Sequence, residues 1–286
     1  MKSIRKYSQE NKLETLHYQK NRINSFTMLD LRKTTFIIPI KIEHEDRYRN
    51  AKATLGFLNK HFKTNVFIYE ASSDGKSKLD FLKSFKNLKI KTWIIQEQNS
   101  FHRTKYLNEM LEKVKTPVVA NYDIDVIFDP SNLQECQQSI LDEGVDVIYP
   151  YENGQGQYQV LPSFDYEGFE RSEFSVEYLK PPRGYLHLWA SECGHCIFFK
   201  TSTYRKWGGE HEGFVAYGPE DKERMYRFQT LGCNVQWRPG RKVYHFEHHR
   251  GEDSWVTNPY FRSNWELFDS LKDMSPEALS EYYKSP

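Results

Sequence analysis

Pro117-Val118-Val119-Ala120-Asn121-Tyr122-Asp123-Ile124-Asp125-Val126 is the stretch whose reading decides the fold. An apolar run that ends in two carboxylates one residue apart reads as a buried strand stopping at a ligand site. Strand side chains alternate between faces, so Asp123 and Asp125 are expected on the same side. Two carboxylates that close repel unless a cation or strong donors lie between them. Hard oxygen ligands suit Mn²⁺ or Mg²⁺, and such ions also bridge to phosphates. The pair is therefore a candidate for holding a metal–diphosphate. On its own, Asp-x-Asp reads equally well as two solvated carboxylates at a strand end.

Upstream, residues 34–40 (TTFIIPI) form a β-branched apolar run, expected as a buried first strand. Residues 45–61 place Tyr48, Ala51, Leu55 and Leu58 at helical spacing. Residues 65–69 read as a second strand, 70–75 as a turn-rich strand end, 79–85 as helical and 88–95 as a third strand. Residues 101–114 read as a helix with Leu107, Met110, Leu111 and Val114 on one face. Strands alternating with helices predict an α/β fold built of right-handed βαβ units, a central mostly parallel sheet flanked by helices. Ligands in such sheets bind at the carboxyl ends of strands. Residues 39–42, 70–74 and 123–125 all fall there. No G-x-G-x-x-G follows the first strand and no G-x-x-x-x-G-K-[ST] exists, which disfavours a dinucleotide dehydrogenase and a P-loop enzyme.

Downstream, a helix is expected over 133–141 and a strand over 145–149. Residues 150–189, rich in Gly, Pro, Tyr and Glu, read as a long excursion of loops and short elements, a length that points to function. Gly154 and Gly156 suit a hairpin turn or a ligand-lining loop. Tyr158, Tyr166, Tyr185 and Trp189 suit sugar stacking or packing. Residues 192–200 return to strand. Cys193 and Cys196 form a C-x-x-C without the second pair that zinc needs. A short helix over 201–207 ends at Gly208-Gly209. Tyr217-Gly218-Pro219-Glu220-Asp221 then opens a helix through Leu231, with Pro near its first position and acids in its first turn. Strands are expected at 233–237 and 242–246, and helices over 260–283.

The 286 residues are 38% hydrophobic and 28% charged, enough for a sizeable core in a soluble chain. A formal net charge of +1 makes no case for nucleic acid. No apolar run reaches the ~18 residues of a transmembrane helix, and residues 1–24 lack the apolar core of a signal peptide. Four cysteines do not make a disulfide framework, so a cytoplasmic location is expected. Residues 1–30 read as a polar, basic extension, partly helical or disordered, where peripheral membrane docking is an open role.

Two further constellations carry chemistry. His245-Phe246-Glu247-His248-His249-Arg250 offers imidazoles and a carboxylate after a strand, which with Asp125 could complete a divalent metal site. Imidazole ligands shift preference from Mg²⁺ toward Mn²⁺; a polar surface turn is the alternative. Glu220 and Asp221 at a helix start offer a carboxylate that the helix dipole keeps ionised, as a general base requires. A plain acidic helix start looks the same in sequence.

Four separated segments fit one family: Phe101-His102-Arg103-Thr104-Lys105-Tyr106-Leu107-Asn108; Asp123-Ile124-Asp125; residues 194–200 through Gly208-Gly209 to Tyr217-Gly218-Pro219-Glu220-Asp221; and His245-Phe246-Glu247-His248. In order and spacing the chain resembles GT-A-type nucleotide-sugar glycosyltransferases. It is most similar to the β-1,4-galactosyltransferase family and the galactosyltransferase-like domain of chondroitin polymerases. The resemblance implies the GT-A (nucleotide-diphospho-sugar transferase) fold as one domain over 31–286. Its nucleotide-binding half would be 31–128, its acceptor and metal half 129–260, and its C-terminal helices 261–286.

The resemblance also implies site roles. Asp125 would be a direct ligand of Mn²⁺ (or Mg²⁺), His248 a second, and His245 would stand where the family often has methionine. Asp123 would contact the ribose or support the metal indirectly, Arg103 would hold the diphosphate, and Pro39 would border the uracil pocket. Gly194 belongs to the matching substrate-binding stretch, and Asp74 is a candidate for uracil or ribose by looser analogy. Asp221 would be the catalytic base, Glu220 would bind the acceptor sugar, and Tyr217 would stack on a sugar ring. The implied reaction is inverting transfer of galactose or N-acetylgalactosamine from a UDP-sugar to a glycan acceptor, in a bacterial cytoplasmic enzyme of polysaccharide biosynthesis. The segment 207–217 would close over the donor. Two rival readings are a nucleotide-sugar-binding protein without turnover and a metal-dependent nucleotidyltransferase. Residues 39–44 (PIKIEH) stand where the latter has a Gly-rich basic loop.

Overall fold

The computed structural model describes residues 28–284 apart from 99 and 181–185. Residues 1–27 and Tyr185 of the expectations above lie outside these.

Strand β1 (Leu29–Lys41) begins five residues before the apolar run, since Leu31 also turns inward to pair with the start of β2. Helix α1 (Glu45–His61) crosses to β2 (Phe62–Ser72), and β3 (Leu88–Gln96) follows a short 3₁₀ turn. Helix α2 (Arg103–Lys113) leads to β4 (Val118–Tyr122), then β5 (Val126–Phe128), α3 (Pro130–Asp142) and β6 (Val147–Tyr149). The excursion contains β7 (Gly154–Val160), α4 (Tyr166–Arg171) and β8 (Leu186–Ser191). The chain closes with β9 (Cys196–Lys200), α5 (Thr201–Lys206), α6 (Glu220–Thr230), β10 (Val235–Trp237), β11 (Val243–Phe246), α7 (Phe261–Lys272) and α8 (Pro276–Lys284).

Seven strands form one sheet in the order β10-β6-β9-β4-β1-β2-β3, with only β9 antiparallel to its neighbours. The mostly parallel sheet is thus as expected. A second sheet, β5-β11-β7-β8, was not expected. Residues 154–160 belong to it as a strand, not a hairpin turn or a ligand loop. A Cβ at Gly156 would meet the Glu152 carbonyl oxygen at 2.2 Å, so only glycine fits there. This second sheet has a direct consequence for function: β11 pairs antiparallel with β5, setting His245 opposite Val126. The Phe246 amide donates to the Asp125 carbonyl at 2.8 Å. Residues about 120 apart in sequence become neighbours through one short ladder.

The core sits where β1, β4 and β9 run side by side. Phe36 is fully buried, edge-on to Tyr122 at 5.3 Å and to Phe198 at 5.7 Å. Tyr122 is fixed by that packing, and its hydroxyl donates to the Val126 carbonyl at 2.8 Å. It thereby clamps the turn that carries Asp123 and Asp125. That turn corrects the strand-alternation argument: β4 ends at Tyr122, so a tight turn, not the strand pleat, presents both carboxylates. Helices α7 and α8 build a smaller apolar cluster with Phe214, through Phe268, Leu271 and Leu279.

Candidate active site

A cavity of about 360 Å³ opens at the carboxyl ends of β1 and β4. Pro39, Arg103, Asp123, Asp125, Gly194, Tyr217, Glu220, Asp221, His245 and His248 all line it. Asp74 does not. It is exposed, and its carboxylate accepts from the Ser72 hydroxyl (2.6 Å) and the Lys76 amide (3.1 Å). A short side chain that can bond its own turn does so before reaching a ligand. Tyr158 stacks on Tyr244, Tyr166 packs on Phe246, and Trp189 is exposed on β8, so none of the three reaches the cavity. Cys193 lines the cavity wall and Cys196 is buried in β9.

On one side of the cavity Asp125, His245 and His248 offer three donor atoms within 4.8 Å of one another, all on buried residues. Asp125 Oδ2 is 3.2 Å from His248 Nε2 and Oδ1 is 3.6 Å from His245 Nε2. Burial works against the charge on Asp125, but the hydrogen bond and charge of His248 hold the carboxyl well below the usual range. Burial pushes His245 down to about 3, leaving it a neutral imidazole. Burial also opposes charge on His248, yet the hydrogen bond and charge of Asp125 raise it above the ordinary value. His249 is not part of this group; it is exposed and stacks on His44 at 5.1 Å.

On the other side are Glu220 and Asp221, in the first turn of α6. Burial acts to raise Asp221, but Arg224 and Arg103 outweigh it and hold the carboxyl low. Arg224, one turn along α6, is fully buried and bridges Asp221 to Glu210, the latter at 2.6 Å. Glu210 in turn accepts from Asn121 on β4 at 2.9 Å and from the Tyr204 hydroxyl. The chain Asn121–Glu210–Arg224–Asp221 therefore ties the carboxylate to the sheet. Glu220 is buried, its Oε2 has no hydrogen-bond partner, and burial followed by the Asp221 charge pushes it up to about 7. Gly194 has φ +98°, and a Cβ there would come within 2.9 Å of Asp221 Oδ2. Glycine lets the backbone lie against that carboxylate.

Arg103 joins the two sides. It stands at the start of α2, capped by the His102 side chain. One guanidinium nitrogen meets Asp123 at 2.5 Å; the other is 3.8 Å from Asp221, buried, and without a hydrogen-bond partner. Burial, then the charges of Asp125 and Asp221, raise the Asp123 carboxyl against the pull of Arg103.

Sequence reasoning gave no role to three of the other cavity residues, His195, Arg47 and Arg250. His195 sits at φ +58°, where its carbonyl accepts from the Asp123 amide at 2.8 Å. Arg47 and Arg250 line the cavity with no carboxylate partner among the described residues. The only available signals were Arg47 in the first turns of α1 and Arg250 two residues past His248. Neither is distinctive without the fold.

The segment 207–217, expected to close over a donor, is tied down at several points. Arg227 donates to the carbonyls of Trp207 and Gly209, Thr104 to that of Phe214 (2.8 Å), and Asn264 to that of Val215 (2.8 Å). Glu210 is the central anchor. Glu210→Ala would leave Arg224 with a buried charge compensated only by Asp221, a loss of about 3–5 kcal/mol. Chemical denaturation checks this; a change below about 1 kcal/mol would mean that the pair carries no structural role.

No protein-family model matches the chain, and no curated protein sequence matches it. Solved structures do. A mannosyltransferase from Pyrobaculum calidifontis, in complex with GDP-Man and Mn²⁺, aligns at TM-score 0.55 and 14% identity, covering 88% of this chain and 69% of its own. Residues 1–349 of TarS from S. aureus, in complex with UDP-GlcNAc, align at TM-score 0.54 and 13% identity, covering 86% and 69%. A mutant of Drosophila β1,4-galactosyltransferase 7, in complex with manganese, UDP-Gal and xylobiose, aligns at TM-score 0.43 and 11% identity. There the match covers 72% of this chain and 65% of the other, so the chain spans just under two thirds of that structure. The fold is that of the GT-A nucleotide-diphospho-sugar transferases.

Proposed function

We propose that this chain is a metal-dependent, inverting glycosyltransferase that moves a sugar from a UDP-sugar to a glycan hydroxyl. One observation carries the reading: a carboxylate–imidazole triad and an arginine-held carboxylate pair face each other across one cavity, with Arg103 between them.

The donor set fits a divalent cation. Asp125, His245 and His248 are buried, their donor atoms converge, and one carboxylate with two imidazoles suits Mn²⁺ better than Mg²⁺. Bound there, the cation would supply positive charge against a diphosphate leaving group. The remaining work belongs to the chain. Arg103, with an unpartnered buried N–H, and the cavity-lining Arg47 and Arg250 present cationic donors to the same diphosphate. Asp123 offers acceptors to the ribose, and Pro39 borders the base. Asp221, kept ionised by Arg224 and Arg103, takes the proton of the acceptor hydroxyl. That oxygen bonds the anomeric carbon as the bond from this carbon to the diphosphate oxygen breaks. UDP leaves with the electron pair, and attack from the opposite face inverts the configuration. Glu220 and Tyr217 border the acceptor side. Galactose or N-acetylgalactosamine is the donor sugar favoured by the resemblance, and a surface polysaccharide the product.

No helix among the described residues is long and apolar enough to cross a membrane. We read the enzyme as acting in the cytoplasm, with any membrane contact peripheral.

Thermal-shift measurements with UDP-galactose, UDP-N-acetylgalactosamine and nucleoside triphosphates, each with Mn²⁺ or EDTA, test the donor class. A UDP-sugar at about 100 times its Kd should stabilise the fold by about 2.7 kcal/mol, with Mn²⁺ only. Stabilisation by triphosphates and not by UDP-sugars would favour the nucleotidyltransferase reading instead.

A further inference from the structure

Behind the imidazoles a row of polar side chains runs from Glu247 to β7. Glu247 Oε2 accepts from Gln159 Nε2 at 2.6 Å. A carboxylate has only acceptors to offer, so this contact decides which way round the Gln159 amide sits. Its Oε1 then points away from Glu247, accepting from Gln157 Nε2 at 2.9 Å and lying 2.9 Å from His245 Nδ1. An amide oxygen carries no proton. The proton in the second contact must therefore be on His245 Nδ1, and the ring's lone pair on Nε2. Nε2 is the atom 3.6 Å from Asp125. His248 is fixed by a separate contact, its Nδ1 donating to the His249 carbonyl at 2.8 Å with Nε2 turned toward Asp125 at 3.2 Å.

We infer that Gln159, oriented by Glu247, is a positioning residue that sets the His245 tautomer so that Nε2 faces the metal. The inference rests on the metal reading of Asp125, His245 and His248. Gln159 is buried in β7 beside β11, and the parallel pairing of Gln159 with His245 brings the two side chains together. Neither Gln159 nor Glu247 needs to touch the ion. Their role is to remove the alternative tautomer, in which Nε2 would carry a proton and could not ligate. Burial of Gln159 and His245 excludes water that would otherwise offer His245 a different partner.

Two readouts on the full chain test this. Long-range ¹H–¹⁵N spectra of the metal-free protein should show His245 protonated at Nδ1. In Gln159→Leu that signal should become a mixture of tautomers. Calorimetric titration with Mn²⁺ should show affinity reduced by about 10–100-fold in Gln159→Leu. The double variant Gln159→Glu, Glu247→Gln reverses the bond between 159 and 247 but keeps an acceptor facing His245, and should recover most of that affinity. If the substitution of Gln159 by leucine prevents folding, Glu247→Ala, which removes the acceptor that orients the Gln159 amide, carries the same two readouts. Unchanged tautomer and unchanged Mn²⁺ affinity in these variants, while Asp125→Ala abolishes binding, would overturn the positioning role and leave the metal site standing. A wild-type protein that binds no Mn²⁺ would overturn the metal reading, and this inference with it.

Discussion

Asp221→Asn lowers sugar transfer by roughly 10²–10⁴-fold, the usual contribution of a positioned general base. The substitution keeps the shape of the side chain and removes its ability to take a proton. Arg224 loses one charged partner but keeps Glu210 at 2.6 Å, so the start of α6 should hold. Binding of UDP with Mn²⁺ should be nearly unchanged, because the metal triad lies across the cavity. The pH profile adds a second check. Arg224 and Arg103 hold Asp221 low, so wild-type kcat should stay level as pH falls into the ordinary carboxylate range and drop only below it. A limb near pH 7 would instead report Glu220, which burial pushes up to about 7. Full transfer by Asp221→Asn would remove Asp221 from the reaction.

Asp125→Ala should be the complementary failure. It deletes the only carboxylate of the triad and leaves two imidazoles, one of them neutral. Loss of a direct ligand should exceed the 10–100-fold typical of a supporting partner, so Mn²⁺ affinity should fall by more than ~100-fold. Metal-dependent UDP binding should fall with it, and transfer should drop by several orders of magnitude. Calorimetry with Mn²⁺ and UDP separates this variant from Asp221→Asn. The two substitutions should fail in different assays, one at binding and one at turnover.

The parallel sheet was legible because β1, β2 and β4 carry buried apolar runs and β3 is rich in β-branched and aromatic residues, with helical periodicity between them. Such strands advertise themselves. The second sheet was not: the strand over 242–246 was expected, but its partners were hidden, since β7 reads GQGQYQV and β5 is three residues long. Without it, His245 could be joined to Asp125 only by ligand chemistry and the family resemblance. The ladder of β11 on β5 now supplies the physical reason. Asp74 was misplaced because position at a strand end says nothing about direction; the side chain capped its own turn. Arg47, His195 and Arg250 were missed because a cavity wall drawn from three distant segments leaves no local pattern. The same holds for Glu210 and Arg224. Fourteen residues separate them, and only the fold shows that they share one buried bond.

The central claim is that one cavity holds a metal–diphosphate on one side and a proton acceptor on the other. Release of UDP from UDP-galactose and UDP-N-acetylgalactosamine, with a glycan acceptor mixture and either Mn²⁺ or EDTA, tests it most directly. The account predicts Mn²⁺-dependent, acceptor-stimulated release of UDP by the wild type, abolished in both Asp125→Ala and Asp221→Asn. Release that persists in EDTA, or that survives either substitution, would contradict it.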